Sequence, residues 1–192
     1  MLSSWLNHRL DPLIYKISPK KSKRAIHPNL LTILGCLVNL GAGVVFAFGF
    51  SLWGGLLLIL GGFFDMMDGA VARQESRATP FGGFLDSVLD RFADQFALIG
   101  ILVYFARSQQ VLWVILTAVA IIGTTVTPYA RARAENIIDH CRVGIMERPE
   151  RILILAIGAI SGYIAYAVLV IMVLSNVTVF QRIYHTYKKT HT

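Results

Sequence analysis

Charged side chains are scarce in this chain. Asp, Glu, Lys and Arg make up 15% of its 192 residues, against about 25% in soluble globular proteins. Hydrophobic residues reach 55%, and the mean hydropathy is +0.61. Because both values lie beyond those of ordinary soluble proteins, the composition predicts one all-α integral membrane domain.

Residues that form disulfides or bind zinc are also few. The two cysteines, Cys36 and Cys141, fall in a predicted span and in a predicted cytoplasmic segment, where a disulfide is not expected. The five histidines show no spacing typical of metal ligands. Residues 1–23 lack the continuous apolar core of a cleaved signal. They show instead an apolar stripe and a basic flank, which predict an N-terminal interfacial amphipathic helix.

Long hydrophobic stretches dominate the rest of the chain and predict six transmembrane helices. They lie at about 30–50, 52–66, 84–106, 111–129, 152–163 and 164–183. Several are shorter than the roughly 20 residues that a spanning helix needs, and the boundary between the last two stays open. The predicted organisation is a juxtamembrane segment at 1–24, a six-helix domain at 25–185 and a basic tail at 186–192.

Basic residues collect on one side of these predicted spans. Of the 18 Lys and Arg residues, only Arg107 falls on the other side. The positive-inside rule therefore predicts a multi-pass protein of the plasma membrane with both termini in the cytoplasm. The net charge of +7 follows from this topology and from attraction to anionic membrane lipids, so nucleic acid is not expected as a partner.

Four aspartates lie where so apolar a chain should carry almost no charge. Asp65 and Asp68 are three residues apart, and Asp86 and Asp90 are four apart, so each pair shares one face of a helix. Acids at membrane depth are costly unless they are paired or neutralised. Four converging carboxylates predict a divalent cation, and oxygen-only ligands favour Mg²⁺, Mn²⁺ or Ca²⁺. Each of the four aspartates is therefore a candidate metal ligand.

Further residues around the aspartates have predicted roles. Gly69 lets a phosphate approach the backbone closely, and Arg73 could neutralise it. Residues 74–83 are predicted to form a loop that returns the chain to the membrane. Asp94 continues the row of Asp86 and Asp90. It is either a third ligand or, as we favour, the partner of a basic group such as Arg91.

The spacing of this region resembles the signature of the CDP-alcohol phosphotransferases. The matching run is Asp65-x2-Asp68-Gly69-x2-Ala72-Arg73-x8-Gly82-x3-Asp86-x3-Asp90. The resemblance implies a homodimeric enzyme that moves a phosphatidyl or related group from a CDP-linked lipid to an alcohol and releases CMP. The lipid would be CDP-diacylglycerol or CDP-archaeol.

The resemblance also implies roles for individual residues. It implies two metal ions per site, Mg²⁺ or Mn²⁺, with Asp65, Asp68 and Asp86 as ligands and with Asp90 as both ligand and general base. The implied contacts to the CDP-linked lipid are Asn29, Leu30, Leu31, Thr32, Gly69, Arg73 and Thr79.

Two arginine-rich runs, at 129–135 and 144–151, bear on the alcohol. The planar fork of arginine suits a phosphate monoester. The runs resemble the family branch that uses inositol 1-phosphate, the phosphatidylinositol phosphate and archaetidylinositol phosphate synthases, which implies that Arg131 and Arg148 bind the acceptor phosphate. Pro128 stands near where that branch has serine, and Arg131 where the bacterial members have lysine.

Alternatives to this acceptor remain open. Glycerol 3-phosphate, giving phosphatidylglycerol phosphate, is the nearest, and serine or free inositol ranks lower. Membrane topology alone also collects arginine. Arg133 and Arg151 are predicted to be structural, paired with Glu135, Glu147 or Glu150.

A different class, a divalent-cation transporter, would also place acids inside a membrane. Such a pathway needs polar groups through both halves of the membrane. The predicted outer halves, such as 41–50 and 97–104, are apolar. The aspartates therefore predict a pocket that opens on one side.

Overall fold

The computed structural model describes residues 28–74 and 79–191, apart from the side chains of residues 28, 70 and 72–74. These residues form six α-helices: α1 Pro28–Ala47, α2 Ser51–Gln74, α3 Pro80–Arg107, α4 Val111–Ala134, α5 Arg148–Ile160 and α6 Ile164–His191. The all-helical class is confirmed. The predicted interfacial helix at 1–24 lies outside the described residues.

Four of the helices are long and apolar enough to cross a membrane. These candidate spans are Asn29–Ala47, Ser51–Gly69, Val111–Ala134 and Ile164–His191. Helix α3 has 28 residues but carries four charged residues between Asp86 and Asp94 and ends at Arg107. Helix α5 has 13 residues, which gives about 20 Å at 1.5 Å per residue, less than the hydrocarbon core of about 30 Å.

Helix packing closes a ring. Helix α1 packs against α2 and α3, α3 packs against α4, α4 against α6, α6 against α5, and α5 against α2. The buried core lies toward the ends of the helices that are remote from the aspartates, and includes Ala42, Phe46, Ile101, Phe105, Val168 and Ile171. The ring brings α2, α3 and α5 together at the opposite, basic end.

Glycines set the closest approach in this ring. A Cβ atom at Gly100 would overlap the backbone carbonyl of Gly43, and one at Gly43 would overlap that of Phe96. Helices α1 and α3 therefore cross backbone to backbone, as small residues allow in membrane proteins. Gly61 packs instead on the side chain of Asn39. A Cβ atom at Gly41 would meet nothing within 4 Å, so this glycine is not needed for close packing within the chain.

The start of α3 corrects the predicted loop. Helix α3 begins at Pro80, so residues 80–83 form its first turn and only the earlier part of the predicted loop separates it from α2. The side chain of Thr79 accepts a hydrogen bond from the Gly82 amide at 3.0 Å. A threonine N-cap followed by proline is a strong start signal, and it outweighs the paired glycines that suggested a loop.

Candidate active site

The motif aspartates lie at the basic end of the ring on two helices. Asp65 and Asp68 lie in the last turns of α2, and Asp86 and Asp90 in the first turns of α3. Asp68 is buried, and the side chains of Asp65 and Asp90 are only 12% and 16% exposed. The Asp68 carboxylate lies close enough to those of Asp65 and Asp86 for their negative charges to repel. The Asp90 carboxylate is repelled by the same two groups. The structure therefore brings both predicted carboxylate walls to one site.

Helix α1 forms the back of this site. The Thr32 hydroxyl is hydrogen-bonded to the Asp68 carboxylate. One turn further, a Cβ atom at Gly35 would lie 2.7 Å from Asp65 Oδ1, so only glycine lets that carboxylate lie against the α1 backbone. Gly35 was not predicted from the sequence. Its only signal was a glycine one turn beyond the predicted contact Thr32.

Arg148 is the central cation of the site. It begins α5, and its guanidinium lies 2.8 Å from Asp65 Oδ2 through Nη2 and 2.8 Å from Asp90 Oδ1 through Nη1. Its Nε lies 3.2 Å from Asp94 Oδ1. One arginine, predicted to bind the acceptor phosphate, thus joins an aspartate of α2 to two of α3.

Asp94 has a partner different from the predicted one. Its second oxygen accepts a hydrogen bond from Arg151 Nη2 at 2.7 Å, whereas Arg91 donates to the carbonyl of Ser87 on its own helix. Arg151 is buried and also donates to the Thr124 carbonyl at 3.4 Å. Arg151 therefore pairs with Asp94, which was not among its predicted partners, because ring closure brings α5 against the face of α3 that carries Asp94.

A cavity of about 400 Å³ opens beside Asp90. Residues from α3, α4, α5, α6 and the 135–147 connection line it, among them five arginines: Arg91, Arg131, Arg148, Arg151 and Arg182. Four acids, Asp90, Asp94, Glu135 and Glu147, also line it. The lining therefore joins the aspartate site directly to a polar chamber rich in guanidinium groups.

Arg131 and Arg182 form the far side of this chamber. Arg131 Nε lies 3.0 Å from Glu135 Oε1, and this hydrogen bond holds the pKa of Glu135 below its ordinary value. Arg182 is buried in α6 and donates to the carbonyls of Val143 and Thr127. From the sequence, Arg182 was counted only among the basic residues that collect on one side of the predicted spans. An arginine directly after an apolar helical run was the available signal.

Arg133, predicted to be structural, has an exposed side chain. It is not among the residues that line the chamber. Of its three predicted partners, Glu135, Glu147 and Glu150, the first two lie 3.0 and 3.9 Å from Arg131. This difference makes Arg133 a suitable control for substitutions of Arg131.

The predicted contacts to the CDP-linked lipid divide into two groups. Leu31 and Thr32 are buried beside the aspartates, and Gly69 follows Asp68 in α2, whereas Leu30 is 49% exposed. Asn29 and Thr79 meet at the start of α3, where a Cβ atom at Gly82 would lie 3.4 and 3.1 Å from their side-chain oxygens. Arg73 belongs to α2, but its side chain lies outside the described part.

The aspartates have the chemistry that a hard divalent cation requires. All four present oxygen ligands, and Asp68 Oδ2 is buried without a hydrogen-bond partner. Among the described residues, however, no three acid, histidine or cysteine side chains converge closely enough to hold an ion as they stand. The positive charge between Asp65 and Asp90 is that of the Arg148 guanidinium. By its chemistry this all-oxygen donor set suits a hard divalent cation.

Comparisons with known proteins agree with the site. The family model for CDP-alcohol phosphatidyltransferases matches residues 25–186. The archaetidylinositol phosphate synthase of Methanothermobacter thermautotrophicus is 36% identical over 97% of this chain and 96% of its own length. The phosphatidylinositol phosphate synthase of Mycobacteroides abscessus is 36% identical over 82% of this chain and 76% of its own length.

A solved structure is also similar. The phosphatidylinositol phosphate synthase of Mycobacterium tuberculosis with CDP-DAG bound gives a TM-score of 0.81 at 27% identity, covering 94% of both chains. The same enzyme in complex with manganese and citrate gives a TM-score of 0.76 at 26% identity, covering 94% of this chain and 88% of that one.

Proposed function

The chain belongs to the CDP-alcohol phosphatidyltransferase family, and from that premise we propose that it makes an inositol phospholipid. The proposed reaction transfers a phosphatidyl or archaetidyl group from a CDP-linked lipid to inositol 1-phosphate and releases CMP. The observation that carries the proposal is the arginine-lined chamber that opens directly beside Asp90.

The reaction is a displacement at phosphorus. The acceptor hydroxyl oxygen bonds to the lipid-bearing phosphorus of the diphosphate, and the bond from that phosphorus to the bridging oxygen breaks. CMP leaves with the bridging oxygen and its electron pair. Asp90 takes the hydroxyl proton, because it lines the acceptor chamber and also belongs to the aspartate cluster. Positioning of the two substrates on either side of Asp90 supplies much of the rate.

Divalent ions belong to this proposal as cofactors. Asp65, Asp68, Asp86 and Asp90 would hold two ions, Mg²⁺ or Mn²⁺, and such ions stabilise charge on the transferring and leaving oxygens. Thr32 fixes the Asp68 carboxylate by its hydrogen bond, and Gly35 leaves room for that of Asp65. The remaining predicted contacts at the mouth of α1 and at the turn into α3 are proposed to receive the CDP moiety.

The chamber favours an acceptor that carries a phosphate. Arg131 and Arg148 present planar donors that match a phosphate monoester, and the arginines exceed the acids of the lining by one. The lining acids suit hydroxyl groups, since an ionised carboxylate is an acceptor only. A polyol phosphate satisfies both kinds of group. Relatives named for inositol phospholipid synthesis support the same choice.

We further propose the membrane arrangement that the charges favour. The α3 and α5 helices complete a six-span domain at 25–185, with the aspartates and both termini at the cytoplasmic face of the plasma membrane. Helix α5 has fewer residues than a full span needs. Its first residue, Arg148, lies in the site, which supports a site that lies only a short distance into the membrane. The enzyme is proposed to act as a homodimer, as its family resemblance implies.

A crossed donor and acceptor screen tests the proposal. Purified protein in nanodiscs receives CDP-diacylglycerol or CDP-archaeol together with inositol 1-phosphate, glycerol 3-phosphate, inositol or serine, and released CMP is measured. We expect release with inositol 1-phosphate and Mg²⁺ or Mn²⁺, and none with EDTA. Faster release with glycerol 3-phosphate would replace the proposed acceptor. No release with any acceptor would overturn the proposed reaction.

A further inference from the structure

Arg148 belongs to two sites at once. Its guanidinium is bound to the carboxylates of Asp65 and Asp90, which are proposed metal ligands, and it also lines the acceptor chamber. A single guanidinium has five N–H donors in a fixed plane. All three of its nitrogens face aspartates in this position, so it cannot direct both terminal nitrogens at an acceptor phosphate without leaving Asp65 and Asp90.

The three ion pairs of Arg148 are not equivalent. The terminal nitrogens Nη1 and Nη2 serve Asp90 and Asp65, whereas Nε, nearer the backbone, serves Asp94. Asp94 is itself fixed from behind by the buried side chain of Arg151 at 2.7 Å. The Nε end of the guanidinium is therefore anchored, and movement of the whole planar group about this contact would carry both terminal nitrogens to new partners.

A divalent ion and the guanidinium compete for the same oxygens. Both terminal nitrogens lie 2.8 Å from the carboxylate oxygens that they bind. A metal ion on those oxygens would place two further positive charges within a few ångströms of the guanidinium, where like charges repel strongly. In this arrangement, with Arg148 between Asp65 and Asp90, no three acids among the described residues lie close enough together to hold a metal ion.

We propose that Arg148 is a positioning residue that exchanges its terminal donors between the aspartates and the acceptor phosphate, with Asp94 and Arg151 as its anchor. Without ligands it neutralises Asp65 and Asp90. When those carboxylates bind a metal ion, the terminal donors turn into the chamber and receive the phosphate. This inference rests on the proposed function. It deepens that proposal because metal binding and acceptor binding become coupled, and such coupling is reciprocal.

Metal titrations of the full-length protein in nanodiscs test the exchange without any turnover. Mn²⁺ affinity is measured by the electron paramagnetic resonance of free Mn²⁺, with no addition, with inositol 1-phosphate and with inorganic phosphate. For the wild-type chain we expect inositol 1-phosphate to lower the Mn²⁺ Kd by about tenfold. Inorganic phosphate should produce part of the effect, because it offers the same group to the terminal donors.

Three variants separate exchange from simple charge repulsion. Arg148→Gln should bind Mn²⁺ more tightly than wild type without additions, and inositol 1-phosphate should then change the Kd less than about twofold. Arg148→Lys keeps the charge and protects the fold, but one ammonium cannot bridge both carboxylates, so its coupling should be intermediate. Arg133→Gln removes an exposed charge that does not line the chamber, so it should keep the wild-type coupling.

The outcomes distinguish the two proposals. If Arg148→Gln and Arg133→Gln show the same Mn²⁺ affinity and both keep the effect of inositol 1-phosphate, the exchange by Arg148 is wrong while the proposed function stands. If the wild-type chain binds no Mn²⁺, the metal assignment fails and the exchange fails with it. Tighter Mn²⁺ binding by Arg148→Gln, together with a weaker effect of inositol 1-phosphate in both Arg148 variants and neither change in Arg133→Gln, would support the exchange.

Discussion

Single residues give the four motif aspartates different surroundings. Asp68 is the most buried and is fixed by Thr32. Asp65 and Asp90 share the Arg148 guanidinium. Of the four, only Asp90 lines the acceptor chamber. The four chemically identical side chains thus differ in their surroundings, and Asp90, the proposed proton acceptor, is the one that lines the chamber.

Replacement of Asp90 tests this assignment. Asp90→Asn keeps the shape and one oxygen but removes the proton acceptor, so we expect the rate of CMP release to fall by about 10²- to 10⁴-fold. Binding of the CDP-linked lipid should stay within a few fold, as measured by calorimetry. Asp139→Asn, at an exposed acid in the 135–147 connection, is the control. Full activity in Asp90→Asn would refute its role as general base.

Arg131 is expected to act on acceptor affinity. Arg131→Gln removes a charged donor from the chamber, and hydrogen bonds to charged groups are worth about 1.5–3 kcal/mol. We expect the acceptor KM to rise about 10- to 100-fold, the range that this energy corresponds to. The KM for the CDP-linked lipid should be unchanged in steady-state assays. Arg133→Gln is the matched control on the same helix, and an equal rise in that variant would show that general surface charge is responsible.

The convergence of the motif aspartates was predictable from the sequence, whereas the ion-pair partners of the neighbouring Asp94 were not. The spacing of the aspartates fixes which face of each helix they occupy, so their convergence was predictable. The pairing of Asp94 with Arg148 and Arg151 was not, because those partners lie 54 and 57 residues away along the chain. Such a pairing depends on which helices are neighbours in the ring, and helical periodicity contains no information about that order.

The helices themselves were largely predictable. The apolar stretches at 111–129 and 164–183 correspond to α4 and α6, but both helices continue beyond the apolar residues, to Ala134 and His191. The extensions are basic, with Arg131 and Arg133 in the last turn of α4. Cations near a helix C-terminus are favoured by the helix macrodipole. The helices can therefore continue beyond the last residue of each apolar stretch.

The crossing of α1 and α3 gives a prediction about stability. Gly100→Ala would push a methyl group into the Gly43 carbonyl, and overpacking of this kind costs about 1–3 kcal/mol. We expect a lower midpoint of thermal inactivation in detergent.

Gly41→Ala is the control for this crossing. It lies on α1 with open space around the new methyl group, and alanine favours helix over glycine by about 1 kcal/mol. Its midpoint should be unchanged or higher. Equal midpoints for Gly100→Ala and wild type would show that the two backbones do not approach as closely as described.

At the scale of the whole molecule, the ring has a different character at each end. Apolar side chains such as Phe46, Ile101 and Phe105 fill one end, and the acids and arginines gather at the other. Water-soluble CMP, the acceptor and metal ions can enter only from the polar end. The enzyme therefore depends on its orientation, because the reaction needs the polar end to face the compartment that supplies the CDP-linked lipid and the acceptor.

Thiol labelling measures this orientation. Ser161, in the turn between α5 and α6, and Lys188, near the end of α6, are exposed at opposite ends of the ring. The native cysteines Cys36 and Cys141 are buried, so they contribute little background. In sealed right-side-out membrane vesicles, an impermeant maleimide should label Ser161→Cys at once and Lys188→Cys only after detergent is added. The reverse pattern would place the aspartates on the outer face, contradict the positive-inside assignment and require that CDP-linked lipid be supplied from outside the cell.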